Sequence, residues 1–185
     1  MRILYLSTYL PLHGVPTVIE AANILKDLTT IQFLLVGRGP ERAKTEQRAN
    51  DLGLDNIRFI DWIPFDDLAE CIASSDVFLG GHFSSGNEKA RRVVAGKIYQ
   101  GLAMAKPTIV GDCEATREWF SDGETASVVP MGDPTTLATA IAQLAADAAA
   151  RKRLGEGGRA LYEARFSEKA ISVLLDDGIA RLQTH

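Results

Sequence analysis

The sequence predicts an α/β domain of the Rossmann-like, doubly wound kind: a mainly parallel six-stranded sheet with helices on both faces and a helical C-terminus. Three observations predict it. Short apolar runs such as ILYL and FLLV read as strands covered on both faces. Longer amphipathic stretches alternate with them, as crossover helices do. After the helix that opens at Pro134 the strand-like runs stop and only helical spacing remains. With 185 residues, 46% of them hydrophobic, the chain fits one compact domain over residues 1–185 and leaves no room for a second.

Taken in order, the expected strands cover residues 3–6, 31–36, 57–60, 76–79, 108–110 and 126–129. The first helix is expected over 17–28, because Val18, Ala22, Leu25 and Leu28 form one apolar stripe. A later helix begins at Pro134 with Asp133 as its N-cap, and Leu137, Ile141, Leu144 and Ala148 share its buried face. The run GEGGR at 155–159 reads as a loosening between helical stretches. In the last helix Ile171, Leu174, Leu175, Ile179 and Leu182 recur at helical spacing, so that helix needs an apolar surface to cover.

Several classes are excluded early. A net charge of −4 argues against a general nucleic-acid or membrane-surface binder, which needs a basic face. The first strand's apolar run is broken by Ser7, Thr8 and Pro11, and no stretch approaches the roughly 18 apolar residues of a membrane span. Cys71 and Cys113 are too few for a disulfide framework and have no metal-ligand spacing, so a reducing cytoplasm is the expected compartment.

Doubly wound sheets bind ligands beyond the carboxyl ends of their strands, and three loops there carry suitable residues. STYLPLHG follows the first strand: Gly14 turns the chain, the next helix presents its amide groups, and Thr8 and His13 stand either as donors to an anion or as plain turn residues. VGRGPERA follows the second strand and brings Gly37 and Arg38. Arg42 stands where a dinucleotide fingerprint needs its third glycine, which disfavours a nicotinamide-dependent reductase. EKARRVVAGKIYQ places Lys89, Arg91, Arg92 and Lys97 within nine positions. A helix over 93–104 would put Arg91 and Arg92 at its positive end, an unfavourable arrangement unless an anion neutralises them. Lys97 and Gln100 then share a face. A diphosphate joined to a polyol fits this pattern, and nucleotide sugars have that chemistry.

The series STYLPLHGVPTVIEAANIL, FLLVGRGPE, NIRFIDWIPFDDLAECIASSDVFLG, KARRVVAGKIYQGLAMAKPTIVGD and GDPTTLATAI resembles the C-terminal half of family 4 glycosyltransferases, the glycosyl transferases group 1. The resemblance covers nearly the whole chain. It implies the donor-binding domain of a GT-B enzyme, with the N-terminal acceptor-binding domain absent from this chain and supplied by a longer polypeptide or a separate subunit. The implied donor-binding set is Thr8, His13, Gly14, Gly37, Arg38, Lys89, Arg92, Lys97, Ile98 and Gln100.

Departures from the family pattern accompany the resemblance. The family's Arg and Lys in the first loop match Thr8 and His13. Its two glutamates, near the donor sugar and on the ribose, match Arg92 and Gln100; Gln100 can still accept from one hydroxyl and Arg92 cannot accept at all. The family glycine before Pro107 is Ala105, at a cost of about 1 kcal/mol if that position has a positive φ.

The expected activity is metal-independent glycosyl transfer from a nucleotide sugar, which is a substrate, with no cofactor; no D-x-D metal motif occurs. The competing reading is a degenerate module that binds a nucleotide or a protein. In GT-B enzymes the C-terminal helix commonly crosses to the N-terminal domain; here it is expected either to fold back on the domain or to pair in a homodimer, and the full enzyme to work in the cytoplasm or peripherally at a membrane.

Overall fold

The computed structural model describes residues 1–183. Six strands, β1 (Arg2–Leu6), β2 (Gln32–Val36), β3 (Ile57–Ile60), β4 (Val77–Leu79), β5 (Thr108–Asp112) and β6 (Ser127–Pro130), form one sheet in the order β3-β2-β1-β4-β5-β6. Every strand pair is parallel. The expected strands all occur, with ends shifted by one or two residues.

Side-chain alternation builds the two layers. Ile3, Tyr5, Phe33, Leu35, Val77 and Leu79 point to one face, where α1 (Val15–Ile24), α2 (Arg42–Asp51) and α7 (Pro134–Ala146) bury them. Leu4, Val36 and Phe78 point to the other, under α3 (Phe65–Ala73), while Val110 meets α5 (Gly96–Ala103). Two short helices, α4 (Glu88–Arg92) and α6 (Glu114–Arg117), lie after β4 and β5; α8 (Ala148–Arg165) packs on α5, and α9 (Glu168–Gln183) packs on α8.

Four expectations are corrected. The first helix covers Val15–Ile24 and not 17–28, because the chain turns through the helix-poor DLTT; Leu28 is exposed while Val18, Ala22 and Leu25 are buried. Asp133 does cap α7, accepting from the N–H groups of Thr135 and Thr136 at 2.9 and 3.0 Å. Ala148 is not on its buried face, because Asp147 ends α7 and caps α8.

The run GEGGR does not loosen anything. It lies inside α8, where its glycines let the helix press on neighbouring backbone: a Cβ on Gly157 would stand 2.0 Å from the Glu124 carbonyl oxygen. The helix expected over 93–104 starts only at Gly96, as α5, because the backbone is extended at Val93 and Ala95; Arg91 and Arg92 belong to the separate short helix α4 before it. Two β-branched residues followed by Gly96 are a weak helical link.

Ala105 has φ 52, so the family glycine is replaced by alanine at a left-handed position. Ala105→Gly should raise the unfolding free energy by about 0.5–1 kcal/mol, since glycine relieves the strain at a smaller entropic cost. Gly157→Ala should lower it by about 1–3 kcal/mol through forced displacement of α8. Urea denaturation of both variants measures the pair, and a neutral or destabilising Ala105→Gly would show that the alanine backbone carries no strain.

Candidate functional site at the switch point

Between β1 and β4 the chain leaves the sheet in opposite directions, which opens a crevice at their carboxyl ends. The loop after β1 enters it through a 3-10 turn, Pro11–His13, which Gly14 closes in the left-handed conformation (φ 65) before α1 begins. Only glycine fits there, since a Cβ would stand 2.3 Å from the backbone of Phe83 and Ser84 in the loop after β4. The His13 carbonyl ties these loops together: it accepts from Tyr5 Oη at 2.7 Å and from the Phe83 N–H at 3.1 Å.

This tie holds the His13 ring inside the protein, so the surface alternative for His13 is overturned. Its Nδ1 lies 2.9 Å from Ser7 Oγ, and Ser7 Oγ also accepts the Tyr9 N–H at 3.0 Å. His82, from the loop after β4, stacks on His13 with ring centroids 5.4 Å apart and planes 18° apart. Among the described residues, His82 Nδ1 is one of the few buried polar atoms without a hydrogen-bond partner.

Lys97 completes the group. It stands in the first turn of α5, with its ammonium 4.4 Å from the centre of the Tyr5 ring. The stem is half-buried, but Nζ itself is sealed from solvent and has no hydrogen-bond partner. Burial holds its pKa down at about 7. Burial first, then the charge of Lys97 and then His82, hold His13 down at about 3. His82 is held at about 4 by burial and by Lys97, with a smaller push from Lys89, against a backbone hydrogen bond at Ala90 that pulls the other way. Three basic side chains thus meet, and none has a carboxylate acting on it.

A cavity of about 390 Å³ opens onto this group. Thr8, His13, Gly37, Lys97 and Gln100 line it, with Trp62, Ile63 and Leu68 as its apolar wall. A larger cavity of about 650 Å³ lies along the edge strand β6 against α7 and α8. Among the described residues none of its lining side chains is a buried polar group without a hydrogen-bond partner.

The structure brings together half of the expected residues. Gly14 shapes the loop from beneath, and Ile98 is wholly buried in the core beside Val110. Lys89 and Arg91 are exposed on α4, and Arg92 is exposed and paired with Glu88. Arg38 is exposed and lies 3.5 Å from Asp61. Arg91 and Arg92 occupy the C-terminal end of α4, where a helix favours cations, so they need no anion there and the inference drawn from a helix N-terminus falls away.

Sequence reasoning missed Tyr5, Ser7, His82 and Trp62. Tyr5 reads as a core residue of a strand, and LGGHFSSG reads as a flexible loop; only the three-dimensional meeting of α5 with the carboxyl ends of β1, β3 and β4 gives these residues a role.

The fold and the pocket define an α/β protein with a cationic recess at the carboxyl ends of its strands. The chain belongs to the glycosyl transferases group 1, whose family model matches residues 1–147. It is 34% identical over 162 residues to the lipopolysaccharide core biosynthesis glycosyltransferase LpsD of Rhizobium meliloti, covering 85% of this chain and 45% of that protein. It is 28% identical over 160 residues to the phosphatidyl-myo-inositol mannosyltransferase of Mycobacterium leprae, covering 84% and 40%. The chain thus spans less than half the length of the curated relatives it matches.

Solved structures share the fold. Anabaena HepE in complex with UDP superposes with a TM-score of 0.84 at 18% identity, over 97% of this chain and 48% of that one. The C-terminal domain of the group 1 glycosyl transferase LpcC of Francisella tularensis gives 0.76 at 18% identity, over 90% and 86%. Among the described residues no helix is long and apolar enough to cross a membrane.

The buried basic group also has a cost. Lys97 falls from 10.5 unfolded to about 7 folded, so between those values the unfolded chain binds more protons and stability rises with pH. His13 and His82 fall from 6.5 to about 3 and about 4, so stability again drops as pH falls below 6.5. Lys97→Met should therefore stabilise the protein at pH 6 by about 1–3 kcal/mol and flatten the rise in stability above pH 7. Thermal or urea unfolding across that range checks it, and an unchanged pH profile would mean that Lys97 is not desolvated.

Proposed function

We propose that this chain is the donor-binding half of a glycosyltransferase and that its switch-point pocket takes the diphosphate of a nucleotide sugar. The observation that carries the reading is the sealed Lys97 ammonium, which lacks any acceptor, beside a cavity large enough for a ligand. A buried cation without a partner is costly, and an anion is the group that offsets it. Gln100, three residues on and lining the same cavity, supplies an amide for the hydroxyls of the attached polyol. Thr8 at the rim adds a hydroxyl. HepE, which shares the fold, is described in complex with UDP, and this supports the ligand class.

In transfer, the bond between sugar and diphosphate breaks and negative charge grows on the leaving oxygen. Lys97, which stands beside the cavity, stabilises that charge, while the acceptor hydroxyl is presented by a second half of the enzyme. The chain alone binds a nucleotide and does not turn over. The exposed face of α9, with Ile171, Leu174, Leu175, Ile179 and Leu182, is where we seat that second half, in the same polypeptide or another, or a second copy of this chain. Sedimentation of the wild type and of Leu175→Asp separates these: a monomer in both removes the dimer.

We place the enzyme in the cytoplasm, peripheral to a membrane if its acceptor is a lipid. A degenerate binding module is the second reading, favoured by Arg92, which is engaged with Glu88 and cannot accept a hydrogen bond from a sugar.

Calorimetry with UDP, GDP and ADP tests the first reading. Lys97→Ala should weaken binding about tenfold or more with the circular dichroism unchanged, while Arg91→Ala, a change at an exposed site, should do much less. Equal small effects would put the site elsewhere, and no heat from any nucleotide at millimolar concentration would favour the second reading.

A further inference from the structure

Resting on that reading, we infer that the pocket is proton-coupled: it takes up a proton from solvent when its anion binds, so ligand charge and site charge rise together. The geometry is that of a basic cluster enclosed in protein. Tyr5 from β1, Ser7 and His13 from the loop after β1, His82 from the loop after β4, Lys89 from α4, and Lys97 from α5 are the polar and charged groups that face or act on it. None is an acid that ionises near neutral pH. The carboxylates of Asp61 and Glu88 are turned to arginines outside, Asp61 to Arg38 and Arg42, Glu88 to Arg92.

An enclosure of this kind disfavours charge on every member. Lys97 is the member that titrates near neutral pH, since burial alone brings it to about 7, whereas His13 and His82 are already neutral there. When an anion arrives beside Nζ, the charged form regains an electrostatic partner and its pKa rises. A proton from solvent then adds to the Nζ lone pair, and the ammonium donates to the phosphate oxygens.

Two consequences are specific. Affinity falls by up to about tenfold per pH unit above the Lys97 transition, because each binding event then has to recruit a proton. The recess also favours the more highly charged of two related ligands, since it meets added negative charge with added positive charge. In a transferase this ranks the free nucleoside diphosphate above the sugar-bearing donor.

Calorimetric titration of this chain with UDP at about pH 8, in buffers of different ionisation enthalpy, reads the proton count as the slope of observed against buffer enthalpy. The expected slope is an uptake approaching one proton for the wild type and near zero for Lys97→Arg, because a guanidinium does not deprotonate. Binding with zero slope in the wild type, or the same slope in Lys97→Arg, overturns the inference.

If Lys97→Arg fails to fold, the Lys97 Cε resonance titrated with and without UDP reads the same coupling. A rise in midpoint of about one unit or more supports it, and an unmoved midpoint overturns it. Absence of binding by UDP, GDP and ADP overturns the donor reading instead. Inorganic pyrophosphate, titrated in the same buffers, then decides the proton uptake by itself: an uptake approaching one proton supports it, while zero slope or no binding overturns it.

Discussion

The rest of the site depends on one carbonyl. His13 C=O accepts from the Tyr5 hydroxyl below it and from the Phe83 N–H beside it, and so joins the loops after β1 and β4 across the point where the chain diverges. Without that junction, two loops moving in opposite directions would have no common position. With it, the His13 ring is locked under His82, the Tyr5 ring is presented to Lys97, and the mouth of the crevice has fixed walls. Gly14 is part of the same constraint, because the loops approach too closely for any side chain.

What the junction encloses is unfavourable for folding. A lysine nitrogen and an imidazole nitrogen lie buried side by side without hydrogen-bond partners, while the other such side-chain atoms among the described residues, Tyr9 Oη, Asn23 Oδ1 and Asn56 Oδ1, carry no cation. Natural sequences break local rules of this kind mainly at functional sites. The order of the effects is informative: burial is the largest influence on all three basic groups, and for the two histidines the charge of Lys97 comes after it. The pocket is therefore set by exclusion of water first and by charge pattern second.

The first loop offers Thr8 and a neutral His13, and Arg92 points to solvent with Glu88 as its partner. The cationic character of the recess rests instead on Lys97, whose position is created by the break between α4 and α5. Val93 to Gly96 matter for that reason: their extended backbone lets α5 begin afresh at Gly96, with Lys97 in its first turn.

The sequence by itself determined the sheet. Apolar runs of four to five residues, separated by amphipathic stretches, admit one period and one layer order, and Asp133-Pro134 determines where α7 begins. These are local signals, and local physics suffices to read them. It could not decide the site, because the residues that meet there lie some 70 to 90 positions apart and are joined only by sheet order: Tyr5 with Gly81 and Lys97, Gly14 with Phe83. It also misjudged Arg91 and Arg92, because the chain breaks after them and leaves them at the C-terminal end of α4. It misjudged GEGGR because whether a glycine is loose or tightly packed depends on what lies opposite, and at Gly157 the opposing surface, the Glu124 carbonyl, comes from a distant part of the chain.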